Sequence, residues 1–275
     1  MPLSSVKILI CYYGKAPWYF PFFLHSCKYN PTIGFLIFSD IHYDGDIPSN
    51  VTIINKSIDE IKCLAEKKLG FAVTIDAPYK LCDFKPAYGY IFSEYIQGYD
   101  FWGQSDIDII YGDIRKFMSE EVLNKYDFIS MRHDYTTGCF ALYRNNPLMT
   151  GIFKRSRDFE LVFTSSKHLC FDECNFVQDL LTAGKSIFEI NTQIESFTHI
   201  IKRAQERNEI NAHFDFILME GLPGSLKFDK GRIIYKNTFE AILYHLFWLK
   251  RVYTPEKAWS RIPDTYRISP RCIYI

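Results

Sequence analysis

Short apolar runs along the chain predict buried strands. Residues 6–13 and 34–38 are brief and rich in β-branched or aromatic side chains, which is typical of strands that are covered on both faces. Between them, residues 17–28 predict a loop that leads into a helix. Further short strands are predicted at residues 128–131 and 139–143.

Capping signals and helical periodicity predict the helices. Ser57 followed by Glu60 has the spacing of a capping box, and Gly70 supplies a stop signal after the last apolar position. The helices predicted in this way cover residues 58–69, 86–97, 119–125, the segment that follows Asn146-Pro147, residues 172–182, and a long apolar stretch at 238–252 that contains His245.

The order of these elements predicts the fold class. Strands and helices alternate, which favours an α/β fold with a mixed central sheet flanked by helices. Asp229-Lys230-Gly231 lies between two apolar runs and predicts a hairpin. No repeat or linker divides the chain, so we expect one domain over residues 1–252 that includes a C-terminal hairpin and helix. Residues 253–275 are expected to form a basic, aromatic tail.

Composition and charge narrow the possible functions. The chain has 32 Lys and Arg residues against 32 Asp and Glu residues, so it lacks the basic surplus of most nucleic-acid binders. From Lys250 onward, however, six basic residues face two acidic ones. This end of the chain could contact anionic lipid or could be a solvated, loosely packed tail.

The cysteines and the apolar runs indicate the cellular compartment in which the protein is expected. The 8 cysteines are scattered without the spacing of a zinc site, so reduced thiols are expected. No signal-peptide pattern and no run of about 18 apolar residues is present. These features predict a cytoplasmic protein, with peripheral contact at the inner face of a membrane if the basic tail binds lipid.

Asp106 and Asp108 are the first candidates for a metal-binding site. They alternate with isoleucines in the sequence SDIDII, and two carboxylates on an apolar segment are costly to bury unless a cation compensates them. Residues two apart share a face of a strand, so both could meet one Mg²⁺ or Mn²⁺ ion at the strand's end. The alternative is a turn or a surface strand with alternating charge.

The residues around Asp106 and Asp108 also indicate a function for this pair. Residues 79–111 read YKLCDFKPAYGYIFSEYIQGYDFWGQSDIDIIY. Here the chain resembles glycosyltransferases of the GT-A type, and more closely a bacterial family of predicted glycosyltransferases associated with surface-polysaccharide synthesis. The resemblance covers most of residues 5–180. It implies a GT-A-like mixed sheet and a metal-dependent transferase that uses a nucleotide-sugar donor, a UDP-sugar before a GDP-sugar, and a glycan or lipid-linked saccharide as acceptor.

The resemblance also implies roles for single residues. Asp106 and Asp108 match the family's metal-binding pair, and Asp106 would also face the donor. Asp83 and Lys85 stand where related enzymes contact the donor sugar and its phosphates, although Lys85 could equally be an exposed residue at a helix start. His245 would complete the metal site, as a late histidine does in many GT-A enzymes.

Further candidates come from the predicted strand ends. Tyr12 or Tyr13, at the end of the first strand, could stack on the base, and Asp40, after the second, could bind the ribose or the base edge. Asp172 or Glu173 could act as a general base toward the acceptor hydroxyl, or could simply favour a helix start. The weaker histidine candidates are His133, His199 and His213.

Two other functions remain open from the sequence. A nucleotidyltransferase also uses paired aspartates and a metal, but residues 12–19 lack the glycine-rich basic loop that such enzymes use. A catalytically silent carbohydrate-binding or scaffolding protein could keep the same fold. If Asp106 and Asp108 repel each other without a metal, Asp108→Ala should remove metal-dependent nucleotide binding and leave the melting temperature nearly unchanged.

Overall fold

The computed structural model describes residues 3–257, 259 and 261–275. The strands are β1 (Val6–Tyr12), β2 (Ile33–Ser39), β3 (Val51–Asn55), β4 (Phe101–Ser105), β5 (Ile109–Tyr111), β6 (Phe128–Ser130), β7 (Phe140–Arg144), β8 (Ala212–Phe214), β9 (Leu218–Met219), β10 (Leu226–Asp229), β11 (Arg232–Tyr235), β12 (Phe239–Ala241), β13 (Leu243–His245), β14 (Thr265–Ile268) and β15 (Ile273–Tyr274).

The helices are mostly short. They are α1 (Phe20–Lys28), α2 (Ile58–Leu69), α3 (Tyr88–Ile91), α4 (Ile114–Phe117), α5 (Glu120–Lys125), α6 (Pro147–Gly151), α7 (Phe159–Thr164), α8 (Gln178–Thr182), α9 (Phe197–Glu206) and α10 (Leu249–Val252). Additional 3₁₀ segments cover Pro78–Ala87, Ser93–Tyr95, Ile152–Arg155 and Ile187–Glu189. Helix α2 has the predicted capping box between Ser57 and Glu60, and ends at Gly70 in the left-handed conformation.

A seven-stranded sheet forms the centre of the molecule. Its strand order is β3-β2-β1-β4-β7-β6-β8. Strands β1, β2, β3 and β4 pair in parallel, whereas β7 runs antiparallel to both β4 and β6. The predicted α/β fold with a mixed central sheet and flanking helices is confirmed.

Each face of this sheet carries its own hydrophobic core. Ile8 and Ile10 of β1 point into one core together with Phe23 of α1, and Leu9 points into the other together with Ile61 of α2. This alternation is the period-two pattern of a strand that is covered on both sides. It explains why β1 reads as a continuous apolar run.

The direction of the strands brings several chain segments to one edge of the sheet. Strands β1, β2 and β4 are parallel, so Tyr13, Asp40 and Asp106 follow their carboxyl ends at the same edge. Strand β7 is antiparallel to β4 and begins there, directly after Cys139, and β6 ends there, shortly before Arg132. Ligands of open α/β sheets collect at this edge.

Two smaller sheets extend this framework. One has the order β5-β13-β9, with β13 antiparallel to β5 and parallel to β9. The other has the order β12-β11-β10-β14-β15. It contains the predicted hairpin, in which Lys230 and Gly231 both have positive φ, as a two-residue turn with the twist of the strands requires.

The predicted helix over residues 238–252 is wrong. This segment forms β12 and β13, and only residues 249–252 are helical. Residues 241–246 form a short, mostly apolar and mostly buried run, and such a run does not distinguish a strand from a helix by its periodicity. Its backbone pairs with β5 on one side and β9 on the other, and this pairing decides the outcome.

Two other predicted helices are only partly present. Residues 86–97 are divided among the end of a 3₁₀ segment, α3 and a second 3₁₀ turn, and residues 172–182 become helical only at Gln178. Cys170, Asn175 and Phe176 have positive φ, which no helix tolerates, so Asp172 and Glu173 lie in a turn. Strand β3 was not predicted, because its five residues alternate without a long apolar run.

The end of the chain is more ordered than a loosely packed tail. Strand β14 pairs with β10 along its whole length, and Tyr266 and Ile268 are buried. The expectation of a loosely packed, solvated tail is therefore wrong for residues 265–274, while the domain boundary at residue 252 stays a prediction. Within the described residues, no helix has the length and hydropathy needed to cross a membrane.

Candidate metal and nucleotide site

Asp106 and Asp108 lie where the chain leaves the central sheet. Strand β4 ends at Ser105 and β5 begins at Ile109, so the two aspartates occupy the bend between two sheets and not a single strand as predicted. The Asp106 amide donates a hydrogen bond to the Cys139 carbonyl (3.0 Å), and Ile107 is buried. The bend is thereby fixed against the start of β7.

His245 reaches the same place from the end of the chain. Strand β13 pairs with β5 so that His245 is opposite Ile109, and the Leu246 amide donates to the Asp108 carbonyl (2.8 Å). His245 Nε2 lies 3.5 Å from Asp108 Oδ2. One ligand atom from each of Asp106, Asp108 and His245 lies within 4.8 Å of the others.

Two lysines compensate the paired carboxylates. Lys85 is 4% exposed, and its Nζ lies 2.7 Å from Asp106 Oδ1 and 3.8 Å from Asp172 Oδ2. Lys250 Nζ donates to Asp108 Oδ2 at 2.6 Å. Lys85 was predicted for this site, but Lys250 was assigned only to the basic end of the chain. No local pattern marks Lys250, because only the pairing of β13 with β5 brings it to Asp108.

These contacts shift the pKa values of Lys85 and Asp108. Burial alone would lower the pKa of Lys85, but Asp106, with Cys82 and Asp172, raises it well above 10.5. Burial would raise the pKa of Asp108, but His245 and Lys250 hold it well below its usual value. Lys85 and Asp108 are therefore both charged at neutral pH.

The donor set fits a hard divalent cation. Two carboxylates and one imidazole are ligands that Mn²⁺ accepts, and Mg²⁺ is satisfied by carboxylates together with phosphate oxygens. Lys85 and Lys250 pair with the same two carboxylates that would hold a cation. A bound cation would therefore compete with both ammonium groups for these carboxylates.

Glu220 and Arg132 fix the orientation of the His245 ring. His245 Nδ1 lies 3.4 Å from Glu220 Oε1, and Arg132 Nη1 donates to Glu220 Oε2 at 3.0 Å. Arg132 is itself held by Asp134. A carboxylate behind a histidine ligand is the usual way in which a protein orients it. This contact could not be predicted from a local pattern, because 25 residues separate Glu220 from His245.

Asp172 differs from its neighbour Glu173 in how its carboxylate is used. Asp172 is 4% exposed and its Oδ1 has no hydrogen-bond partner among the described residues, and burial raises its pKa well above 3.8. A Cβ at Gly138 would lie 2.3 Å from Asp172 Oδ2, so a side chain at this position would have to displace the Asp172 carboxylate. Glu173 Oε1 accepts from the Gly138 amide and its Oε2 accepts from Gln178 Nε2. Of the two candidates, Asp172 alone carries an unused buried oxygen beside Lys85.

Asp83 is fully buried and its carboxylate is occupied. Its oxygens accept from the amides of Leu169 and Phe171 (both 2.9 Å). Lys80 Nζ lies 2.8 Å away and His168 Nδ1 lies 3.1 Å away. The Asp83 carboxylate connects the Pro78–Ala87 segment, which contains Lys85, to the turn that carries Asp172. These contacts favour a structural role over direct contact with a donor.

Replacing Asp83 with asparagine is expected to lower the free energy of unfolding by about 3–5 kcal/mol, the usual cost of breaking a buried ion pair. Although burial opposes ionisation, His168 and Lys80 hold the pKa of Asp83 below its usual value. Its contribution is thus present above the unfolded-state pKa and is lost as pH falls through the folded-state pKa. Urea unfolding at several pH values measures this. Asp44→Asn, at an exposed loop position, is the control, and a difference between Asp83→Asn and the native chain that persists in strong acid would contradict the account.

Of the residues predicted to contact the nucleotide, Tyr12 and Asp40 are accessible, whereas Tyr13 is buried. Tyr12 is partly exposed, and its hydroxyl donates to the Lys15 carbonyl (2.8 Å). Tyr13 is 8% exposed and packs into a hydrophobic core. Asp40 is exposed and accepts from the Gly14 amide at 2.9 Å. Tyr12 and Asp40 therefore remain available to a base or ribose at this edge, whereas Tyr13 has little free surface for stacking.

The other candidate histidines lie elsewhere. Among the described residues, the clusters able to hold a metal ion contain none of His133, His199 and His213. His199 caps its own helix through Ser196. His133 and His213 line a surface cavity of about 410 Å³ with Lys202 and Phe214.

Comparisons with known proteins give one family and one distant structural likeness. A model of a family of unknown function, DUF6625, matches residues 8–273. A search of curated protein sequences finds no match. Among solved structures, a galactosyltransferase, LgtC, in complex with donor and acceptor sugar analogues is similar at 13% identity and a TM-score of 0.35. The likeness covers 57% of this chain and 64% of that chain, which is less than two thirds of its length. The fold assignment therefore rests on the sheet topology.

Proposed function

The chain belongs to DUF6625, a family of unknown function, and we propose that it is a metal-dependent glycosyltransferase that takes a sugar from a nucleotide-diphosphate donor. One observation carries the proposal. His245, which is remote in sequence, meets Asp106 and Asp108 at the carboxyl edge of the central sheet between two lysines. A divalent cation and two ammonium groups at one place suit the charge of a diphosphate.

The residues of the site have different roles in the proposed reaction. When bound, the cation supplies Lewis-acid neutralisation of the departing diphosphate. Asp106, Asp108 and His245 would hold it. Lys85 and Lys250, once released from the carboxylates, donate to the phosphate oxygens and stabilise charge that develops on the leaving group. Preformed positive charge of this kind costs no reorganisation during the reaction.

The donor is held along the same edge of the sheet. Tyr12 offers a partly exposed aromatic face for the base, and Asp40 offers an acceptor for ribose hydroxyls. A UDP-sugar suits this arrangement, because uracil needs a flat surface and no charged partner. The resemblance of residues 79–115 to GT-A enzymes of surface-polysaccharide synthesis supports the same donor class.

The acceptor side is assigned to Asp172. Its buried Oδ1 has no partner among the described residues, so a movement that exposes this oxygen to a sugar hydroxyl would break no hydrogen bond of Oδ1. We propose a glycan or lipid-linked saccharide as acceptor. Trp248 and Val252 are exposed beside the basic side chain of Arg251, which suits an acceptor presented at the inner face of a membrane.

Release of nucleotide from the donor tests the proposal. The protein is incubated with a panel of UDP- and GDP-sugars and Mn²⁺, and the released nucleoside diphosphate is measured with and without EDTA. We expect release with at least one donor, suppression by EDTA, and recovery when Mn²⁺ is added back. No release, together with no calorimetric binding of any nucleotide, would contradict the proposal and favour a silent binding module. Pyrophosphate formed from UTP and a sugar 1-phosphate would indicate a nucleotidyltransferase.

A further inference from the structure

A second set of possible metal ligands lies next to the set formed by Asp106, Asp108 and His245. The Cys139 thiol, a Glu220 carboxylate oxygen and a His245 ring nitrogen all lie within 4.8 Å of one another. His245 Nδ1 and Glu220 Oε1 are 3.4 Å apart, which is close to the separation of neighbouring ligands around one small cation. The three residues come from the start of β7, the segment after β9 and strand β13.

Each of these three groups keeps one ligand atom near the other two, although Glu220 also pairs with Arg132 and His245 also faces Asp108. Arg132 pairs with Glu220 Oε2 and leaves Oε1 facing the histidine. Cys139 is buried, and only its backbone carbonyl takes part in the bend at Asp106. The side chain of Glu220 is 30% exposed and that of His245 is 14% exposed. Glu220 thus lies on the more exposed side of the set, and the thiol lies on its buried side.

The chemistry of this set differs from that of the carboxylate pair. A thiolate, an imidazole and a carboxylate are the ligands that Zn²⁺ prefers, and three protein ligands leave a fourth position open to water. Mg²⁺ and Mn²⁺ prefer oxygen ligands and gain little from sulfur. We propose that Cys139, Glu220 and His245 form a Zn²⁺ site that is separate from the Asp106 and Asp108 pair.

Binding at this site involves no redox step. Bonds form from the metal to sulfur, nitrogen and oxygen, and the protons of the thiol and of Nδ1 pass to solvent. The site shares the His245 ring with the first ligand set. We therefore expect Zn²⁺ to reduce the affinity of the chain for Mn²⁺.

Cobalt spectroscopy tests the site without any assay of turnover. The full chain is titrated with Co²⁺, and we expect a near-ultraviolet thiolate-to-cobalt charge-transfer band that Zn²⁺ abolishes. Cys139→Ser should remove the band and weaken Zn²⁺ binding at least about tenfold in a competition with a chromophoric chelator. Cys63→Ser, which removes an exposed thiol, is the matched control and should change neither result.

The possible results separate this inference from the proposed function. A thiolate band in the native chain, lost in Cys139→Ser, supports the Zn²⁺ site whether or not any sugar is transferred. If Cys139→Ser does not fold, Glu220→Gln replaces it, with the same expected loss of Zn²⁺ affinity. No band in the native chain, or equal Zn²⁺ affinity in the native chain and the variant, overturns the inference and leaves the transferase proposal standing.

Discussion

Replacing Asp108 with asparagine is expected to abolish metal-dependent nucleotide binding. Asp108 supplies a carboxylate to the metal cluster and is the partner of both Lys250 and His245. Removing an outer partner of a metal ligand costs 10–100-fold in affinity, so loss of a ligand should cost at least about 100-fold. Calorimetry of UDP binding with and without Mn²⁺ measures the effect, and Asp46→Asn, at an exposed loop position, is the control.

The same variant should also be less stable, and here the structure corrects the sequence-based expectation. Asp106 and Asp108 do not face each other as uncompensated charges, because each is paired with a lysine. Without the Asp108 charge, the buried His245 and the partly exposed Lys250 lose their partner, so we expect about 1–3 kcal/mol of destabilisation. An unchanged unfolding midpoint together with unchanged Mn²⁺-dependent UDP affinity would contradict the assignment.

Replacing Lys85 with glutamine is expected to separate metal binding from turnover. Lys85 competes with a cation for Asp106 Oδ1, so Mn²⁺ affinity without nucleotide should not fall. The variant nevertheless loses a charge that would stabilise the leaving diphosphate, and removing one such donor typically lowers kcat by about 10²–10³-fold. Lys67→Gln, on the exposed face of α2, is the matched control.

Single-turnover kinetics and Mn²⁺ titration measure the two effects of Lys85→Gln. Parallel losses of Mn²⁺ affinity and of rate would mean that Lys85 only supports the metal site. An unaltered rate would remove Lys85 from the reaction. A fall in rate at preserved Mn²⁺ affinity is the result that the geometry favours.

The alternation of apolar runs and capping signals was enough to predict the sheet-forming strands near the N-terminus. Strands β1 and β2 are buried on both faces, and a strand of this kind is recognisable in the sequence as a continuous apolar run. The same property misled the prediction for the segment around His245. A short, mostly apolar and mostly buried run fits a helix or a strand, and only its pairing with β5, more than 130 residues earlier in the chain, decides between them.

Part of the candidate site could be predicted, and the remainder depends on tertiary contacts. Asp106, Asp108, Lys85 and His245 were chosen from motif and resemblance, and the structure places all four together. Their roles as ligands stay predictions. Lys250, Glu220 and Cys139 have no local pattern that marks them, since each gains its meaning from a partner far away in sequence.

Anomalous diffraction from crystals grown with Mn²⁺ and UDP tests the central claim most directly. We predict a single manganese peak held by Asp106, Asp108 and His245, with the diphosphate on its open side and the ammonium groups of Lys85 and Lys250 turned from the carboxylates to the phosphate oxygens. A map without a peak at this position, in which Lys85 and Lys250 still pair with the two aspartates, would contradict the account.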